Sequence, residues 1–333
     1  MKITFFEIKD WEKEYITKRL KGHKLVFLKE TISENDLAAV KDSEIISVFI
    51  YSKVDKIVLE KMKNLKAVVT RSTGYDHIDL KECKKRKVKV YNVPNYGQNT
   101  VAEHTFALIL SLSRRINRAY DRTTRGNFSF DDLEGFDIKD KTIGIIGMGS
   151  IGRHVARIAN GFEMKVLAYD PYPNKILEKD LNFRYSSLNE LLKNSDIVSL
   201  HCPYDKKSHH LINSKNITLM KKGALLINTA RGGLVDTTAL VKALSSGKLG
   251  GAGLDVLEEE GLIKEEAQLL SSKFPREKLE NLLEDHLLLT FENVIITPHM
   301  AFYSEEALRR ILDITIRNIE CITENKVCEA IVG

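Results

Sequence analysis

Residues Thr142 to Gly152 read Thr-Ile-Gly-Ile-Ile-Gly-Met-Gly-Ser-Ile-Gly. The stretch opens with the apolar run Ile143 to Ile146, which suits a buried parallel strand. Gly147, Gly149 and Gly152 follow at G-x-G-x-x-G spacing, and an apolar-periodic segment through Ile151, Val155, Ile158 and Ala159 then begins. Gly147 suits a tight turn, Gly149 lets the backbone approach a pyrophosphate, and Gly152 lets a helix pack close on its strand. The phosphates would sit at the helix N-terminus, where unpaired N–H groups and the helix dipole favour an anion. A second strand, Lys165 to Tyr169, follows after about one helix length and ends in Asp170. A carboxylate there can accept the adenosine ribose hydroxyls and repel a 2′-phosphate, which points to NAD rather than NADP. A kinase glycine-rich loop would need a Val-Ala-Ile-Lys strand and a His-Arg-Asp loop, and neither follows.

Outward from this turn, apolar runs recur at 165–169, 196–200, 224–228, 251–255 and 294–297, separated by amphipathic segments. Six strands opened by a glycine turn match a full dinucleotide-binding sheet. Upstream, Lys2–Phe6, Leu25–Leu28, Ile45–Ile50, Ala67–Thr70 and Val88–Tyr91 alternate with amphipathic helices, one of them after the cap candidate Ser33. That rhythm predicts a second parallel α/β layer. Pro94 to Asn99 interrupts it as a linker, and Thr100 is placed to cap a long apolar helix beyond. The stretch 258–291 is too long for a simple loop, and its leucine-rich pieces predict extra helices. A final helix is expected from Ser304 to Asn325.

Composition narrows the function classes. A chain of 333 residues with 43% hydrophobic and 29% charged residues has room for two buried cores under a charged surface. The net charge of +5 is spread among interspersed acids and bases, and the run Lys84 to Lys87 reads as a solvated helix face rather than a nucleic-acid patch. No window is apolar enough for a membrane span, and Met1 leads directly into a strand-like run, so a cytoplasmic protein without a leader is expected. Four scattered cysteines carry neither metal nor disulfide spacing. His201-Cys202 with His209-His210 lacks paired ligand spacing, so no metal is expected. The aromatic cluster Phe128 to Phe136 reads as packing.

Three charged residues stand at expected strand ends, where α/β enzymes place their chemistry. Arg231 lies in Asn228-Thr229-Ala230-Arg231-Gly232-Gly233, Glu260 follows Gly253 to Glu259, and His299 lies in Thr297-Pro298-His299-Met300-Ala301. With Ser72 to Asp79, Thr100 to His104 and the glycine turn, these stretches resemble the D-isomer-specific 2-hydroxyacid dehydrogenases over nearly the whole chain. The set is specific because the motifs occur in order on a matching βα pattern. Tyr51, Tyr96 and Phe302-Tyr303 make the likeness greatest to the members that act on D-lactate. Two departures are the long spacing from Glu260 to His299 and Cys202-Pro203, where many relatives have Val-Pro or Thr-Pro.

The resemblance implies two Rossmann-like or flavodoxin-like parallel-sheet α/β domains with a cleft between them. Residues 1–99 plus 300–333 would form the substrate domain; 100–299 would bind NAD and carry a helix that pairs two subunits. Hinges would fall near Tyr96 and His299. A small 2-keto or 2-hydroxy acid would be the substrate, with pyruvate and D-lactate expected. A broader D-2-hydroxyacid dehydrogenase, a hydroxypyruvate reductase and a nicotinamide-sensing binding protein are the alternatives. Arg231 would grip the substrate carboxylate with its planar fork. His299 would give its proton to the carbonyl oxygen, and Glu260 would hold the other ring nitrogen and favour the imidazolium. Thr73, Gly74, Tyr75 and Tyr96 would complete the carboxylate grip, with Tyr51 and Phe302 lining the side-chain pocket. Cofactor contacts would come from Thr100, Gly147, Gly149, Ser150, Ile151, Gly152, Asp170, Cys202, Pro203, Ser208, Thr229, Ala230 and Asp255. Of these, Asp255 and the Thr229-Ala230 backbone would position the nicotinamide.

Overall fold

The apolar run Thr142–Ile146 forms strand β6, and its last four residues are buried. It pairs in parallel with β7 (Lys165–Tyr169) on one side and β9 (Ile197–Leu200) on the other. Ile143 and Ile145 face one apolar layer with Ala102, Phe106, Ile109 and Val155; Ile146 faces another with Leu191, Leu226 and Leu240. A strand covered on both faces is why the run is continuous rather than alternating. Each Ile or Leu enclosed in this way stabilises the fold by about 1.5–3 kcal/mol.

The structure is a computed structural model that describes residues 1–32, 40–258, 286–324, 326 and 331–332. The chain divides into two units, Gly97–Tyr303 and Met1–Tyr96 with Ser304–Gly333. The first unit's sheet is completed by β8 (Arg184–Tyr185), β10 (Ala224–Asn228), β11 (Leu249–Leu254) and β12 (Val294–Ile296). Its order is β12-β11-β10-β9-β6-β7-β8, with every pairing parallel. The chain runs outward from β6 to β8 and then returns to β9 on the other side of β6. That reversal leaves the carboxyl ends of β6 and β9 open to a ligand.

The other unit holds β1 (Lys2–Phe5), β2 (Lys24–Phe27), β3 (Ile45–Val48), β4 (Ala67–Thr70) and β5 (Lys89–Tyr91). The order is β13-β5-β4-β3-β1-β2, and β13 (Ile331–Val332) pairs antiparallel with β5. The five parallel strands therefore have the flavodoxin-like order. Leu312, Ile316 and Ile319 of the helix Glu305–Thr323 pack with Ile3, Phe5, Ile45 and Val69 on one face of this sheet. Ser304 caps that helix by accepting from the Ala307 N–H. The last helix thus returns to the sheet that the first strands began.

Several expectations are corrected. The long helix spans Gln98–Ser113 with Gly97 at its cap, so Thr100 is a buried residue of its first turn rather than the cap. The glycine-turn sheet has seven strands, not six, because β8 extends its edge. β8 and β13 are two residues each, too short to show a periodic signal in sequence. Phe128 and Phe130 are 80% and 83% exposed, so that end of the aromatic cluster is not interior packing within this chain, whereas Phe136 packs against the core as expected. The Ser33 cap and the extra helices expected in 259–285 lie outside the described residues. Among the described residues no helix is long and apolar enough to cross a membrane.

Candidate active site

In the unit Gly97–Tyr303 the residues singled out from sequence follow strand ends on one edge of the parallel sheet. The glycine turn follows β6, Asp170 follows β7, Cys202, Pro203 and Ser208 follow β9, Thr229 to Arg231 follow β10, Asp255 follows β11 and His299 follows β12. Parallel strands deliver all their carboxyl ends to the same edge, which is what gathers residues from distant parts of the chain.

The glycine turn has steric reasons at two of its three glycines. Gly147 has φ 98°, and a Cβ there would lie 2.7 Å from the Cys202 backbone nitrogen. A Cβ on Gly152 would lie 2.0 Å from the Gly147 carbonyl oxygen. Gly149 differs, because a Cβ on it would meet nothing within 4 Å. It precedes the helix Ser150–Gly161 and gives it no side-chain cap, so the first-turn N–H groups are available to an anion. Ser150 and Ile151 occupy that first turn. A dinucleotide pyrophosphate fits this open cradle.

Asp170 is tied to the same turn. One carboxylate oxygen accepts the Met148 N–H at 2.8 Å, and the other accepts the Tyr172 N–H at 2.9 Å. Each oxygen keeps a lone pair, so the group can still accept from ribose hydroxyls. The next strand end is electrically quiet. Burial drives His201 down to about 3, so the ring is neutral, and pushes the Cys202 thiol up to about 11, so it is no thiolate. His201 Nε2 lies 2.8 Å from Ser199 Oγ, and its buried Nδ1 has no partner among the described residues. Ser208 closes its own turn, its hydroxyl accepting from the Asp205 N–H at 2.7 Å and donating to the Pro203 carbonyl at 3.0 Å.

Arg231 sits on a turn held by Asn228, whose side chain donates to the Arg231 carbonyl at 2.9 Å and accepts from the Ala230 N–H at 3.1 Å. The guanidinium Nη1 donates to the Ala230 carbonyl at 2.7 Å. Thr229 is buried, with its hydroxyl 3.1 Å from that of Thr105 on the long helix.

Asp255 organises the loop that carries His299. Its enclosed carboxylate accepts from Thr297 Oγ1 at 2.5 Å, the Met300 N–H at 2.8 Å and the Ala301 N–H at 2.8 Å. Its carbonyl accepts the His299 N–H at 2.9 Å. His299 itself lies in the left-handed region at φ 52°, where a residue with a Cβ persists only if its surroundings hold it. His104 joins the network from the long helix, its Nε2 3.0 Å from Thr297 Oγ1 and 3.6 Å from the Asp255 carboxylate. The Asp255 side chain is 0% exposed and holds the His299 loop through these bonds. Asn228, Thr297 and His104 stood inside the quoted motifs; their hydrogen-bonding side chains were the only signal, and their partners are distant in sequence.

In the other unit Tyr51, Thr73 to Tyr75 and Tyr96 likewise follow the carboxyl ends of β3, β4 and β5. Glu7, just past β1, accepts the Phe49 and Tyr51 N–H groups at 2.9 and 3.1 Å. Thr73 Oγ1 donates to the Val93 carbonyl at 2.8 Å, and Asn92 Nδ2 donates to the Thr73 carbonyl at 2.9 Å. The Tyr96 carbonyl accepts from Arg310 Nε at 2.6 Å. Phe302 belongs to the glycine-turn unit, with its Cβ 3.6 Å from where a Cβ on Gly97 would lie. Glu260 lies outside the described residues.

A glycine cradle, an acidic second strand end and an Arg–His pair on further strand ends define a dinucleotide-binding α/β protein of dehydrogenase type. Residues 106–301 match the model of the D-isomer specific 2-hydroxyacid dehydrogenase NAD binding domain. The chain belongs to that family, and NAD is its cofactor. It is 39% identical to a 2-hydroxyacid dehydrogenase homolog of Zymomonas mobilis, covering 96% of each chain. It is 34% identical to a D-lactate dehydrogenase of Escherichia coli, covering 98% of each. The solved structure of a D-lactate dehydrogenase from Aquifex aeolicus, complexed with NAD and lactic acid, superposes with a TM-score of 0.86 at 40% identity, covering 99% of this chain and 98% of that one.

Proposed function

We propose that this chain is an NAD-dependent D-lactate dehydrogenase, interconverting pyruvate and D-lactate. The observation that carries the reading is the pair Arg231 and His299. They follow β10 and β12, the two neighbours of β11, with Asp255 after β11 locking the His299 loop. A 2-keto acid needs three things: an anchor for its carboxylate, a proton for its carbonyl oxygen and a hydride for its carbon. Arg231 offers a bidentate anchor. His299 as imidazolium gives its proton to the oxygen during reduction, and as neutral imidazole takes one back during oxidation. NADH, when bound, supplies the hydride. Glu260 keeps the part that the resemblance gives it, holding the second ring nitrogen and favouring the charged form. By the same resemblance, Thr73, Gly74, Tyr75 and Tyr96 would add to the carboxylate grip, and Tyr51 and Phe302 would restrict the side chain to a small group.

Steady-state rates with NADH over a panel of 2-keto acids test the assignment. Pyruvate should give the highest kcat/KM, and His299→Gln should lower kcat by at least about 100-fold with NADH affinity unchanged. Preference for a branched or aromatic keto acid would overturn the lactate reading; retained turnover in His299→Gln would overturn the acid. The exposed side chains Tyr120, Phe128 and Phe130, 71 to 83% accessible, support pairing of two copies. Light scattering should give twice the chain mass, and a monomer would refute the pairing.

A further inference from the structure

The Arg231 turn is braced on its outer side by a carboxylate for which the reaction has no use. Glu258 lies just past β11, and its two oxygens go to two different segments. One meets His210 Nε2 at 2.7 Å, and since a carboxylate can only accept, that nitrogen carries the proton. The other accepts from Thr237 Oγ1 at 3.1 Å. Both partners bound the Arg231 turn. His210 donates its backbone N–H to the Gly233 carbonyl at 2.9 Å, and Thr237 begins the helix that the turn leads into. Close backbone packing adds to the brace, because a Cβ on Gly232 would lie 2.0 Å from the Leu257 carbonyl oxygen. His210 also sits at φ 48°, a left-handed conformation that costs free energy in a residue with a Cβ. Asn228 thus holds the turn from within, and Glu258 from without.

We propose that Glu258 is a positioning residue which, through His210 and Thr237, sets the Arg231 turn for the substrate carboxylate. The proposal rests on Arg231 being the carboxylate anchor. A guanidinium fork binds a carboxylate with two directional hydrogen bonds, so a shift of the turn weakens substrate binding more than it alters proton transfer at His299. Thr229 and Ala230, expected to meet the nicotinamide, share this turn, but the pyrophosphate cradle after β6 is built from other residues, so NADH affinity is expected to hold.

The test compares Glu258→Ala, Glu258→Gln and Arg231→Gln in the full chain, reading pyruvate KM, kcat, NADH dissociation constant and Tm. Glu258→Ala should raise KM about tenfold while kcat changes by less than about threefold and NADH affinity holds. Glu258→Gln keeps one acceptor oxygen of the two, so it should recover part of the rise. His210→Asn, which tolerates the left-handed backbone, should raise KM alone but add little to Glu258→Ala, since both break one clamp. An unchanged KM in Glu258→Ala, with Arg231→Gln raising it, overturns the clamp and leaves the anchor standing. An unchanged KM in Arg231→Gln overturns the anchor itself. A joint loss of kcat, NADH affinity and Tm in Glu258→Ala would make Glu258 a general brace and also overturn the proposal. The ligand atoms of His209, His210 and Glu258 lie within 4.8 Å of one another. If EDTA reproduces the KM rise in the parent, a bound cation rather than the His210 hydrogen bond holds the turn.

Discussion

Replacing Asp255 by Asn tests whether the loop carrying His299 is held as the structure indicates. Shape is conserved and the charge is removed. The carboxylate accepts three hydrogen bonds, from Thr297 Oγ1 and the Met300 N–H on one oxygen and from the Ala301 N–H on the other. The least costly placement of the amide keeps its oxygen at the first pair and turns its NH2 toward Ala301. One charge-assisted bond is then lost, and two donors face each other in a site where the side chain is 0% exposed. A buried donor left without an acceptor costs about 1–3 kcal/mol, and the two remaining bonds lose their charge assistance. The expected destabilisation is about 2–4 kcal/mol. For a unit of this size it corresponds to a fall in Tm of roughly 4–16 °C. The same slack reaches His299, whose left-handed backbone depends on its neighbours, so kcat should fall on the order of 10- to 100-fold. Calorimetry and steady-state kinetics measure both effects, and hydrogen exchange at the Met300 and Ala301 amides localises them. Thr297→Val removes only one donor and should cost less. If Asp255→Asn shifts Tm by under about 1 °C and leaves kcat within about twofold, the loop is not held by this carboxylate.

Asp170→Ala should weaken NADH binding about tenfold or more and reduce discrimination against NADPH, since ribose acceptors and a repulsive charge vanish together. Fluorescence titration with both cofactors reads it, and an unchanged preference would place selectivity elsewhere. His201 gives the fold an acid sensitivity. Its native pKa of about 3 lies below the ordinary value, so the unfolded chain takes up a proton that the native state refuses. Stability contributed by the neutral ring is present above pH 6.5 and is lost as pH falls from there toward 3, amounting to about 2 kcal/mol by pH 5. Urea unfolding of His201→Asn at pH 7 and pH 5 should therefore show a smaller difference than the parent; an equal difference would refute the assignment.

Much of the fold and part of the site are local properties, and local properties can be read along a chain. The glycine turn was legible because its spacing is local, with Gly147 at a positive φ and Gly152 packed on the Gly147 carbonyl. Continuous apolar runs marked the longer strands because both faces of a parallel sheet are covered. Arg231, Glu260 and His299 were legible as charged residues at expected strand ends, in motifs that resembled a family. β8 and β13 were not, since two-residue strands exist only by pairing with a neighbour already in place. Thr100 was misread as a cap because Gly97 can begin the helix without any side-chain signal.

The partnerships belong to the tertiary structure. Nothing in the order of residues joins His104 to Thr297 or His210 to Glu258, separated by 193 and 48 positions. Nor does it show that Asp255 turns inward to hold a loop. Sequence offered which residues to examine for chemistry, because residue type, local spacing and a resemblance suffice to nominate them. Which of them hold the others in place was decided only when parallel strands brought their carboxyl ends to one edge, because a hydrogen bond depends on distance in space and not on distance along the chain.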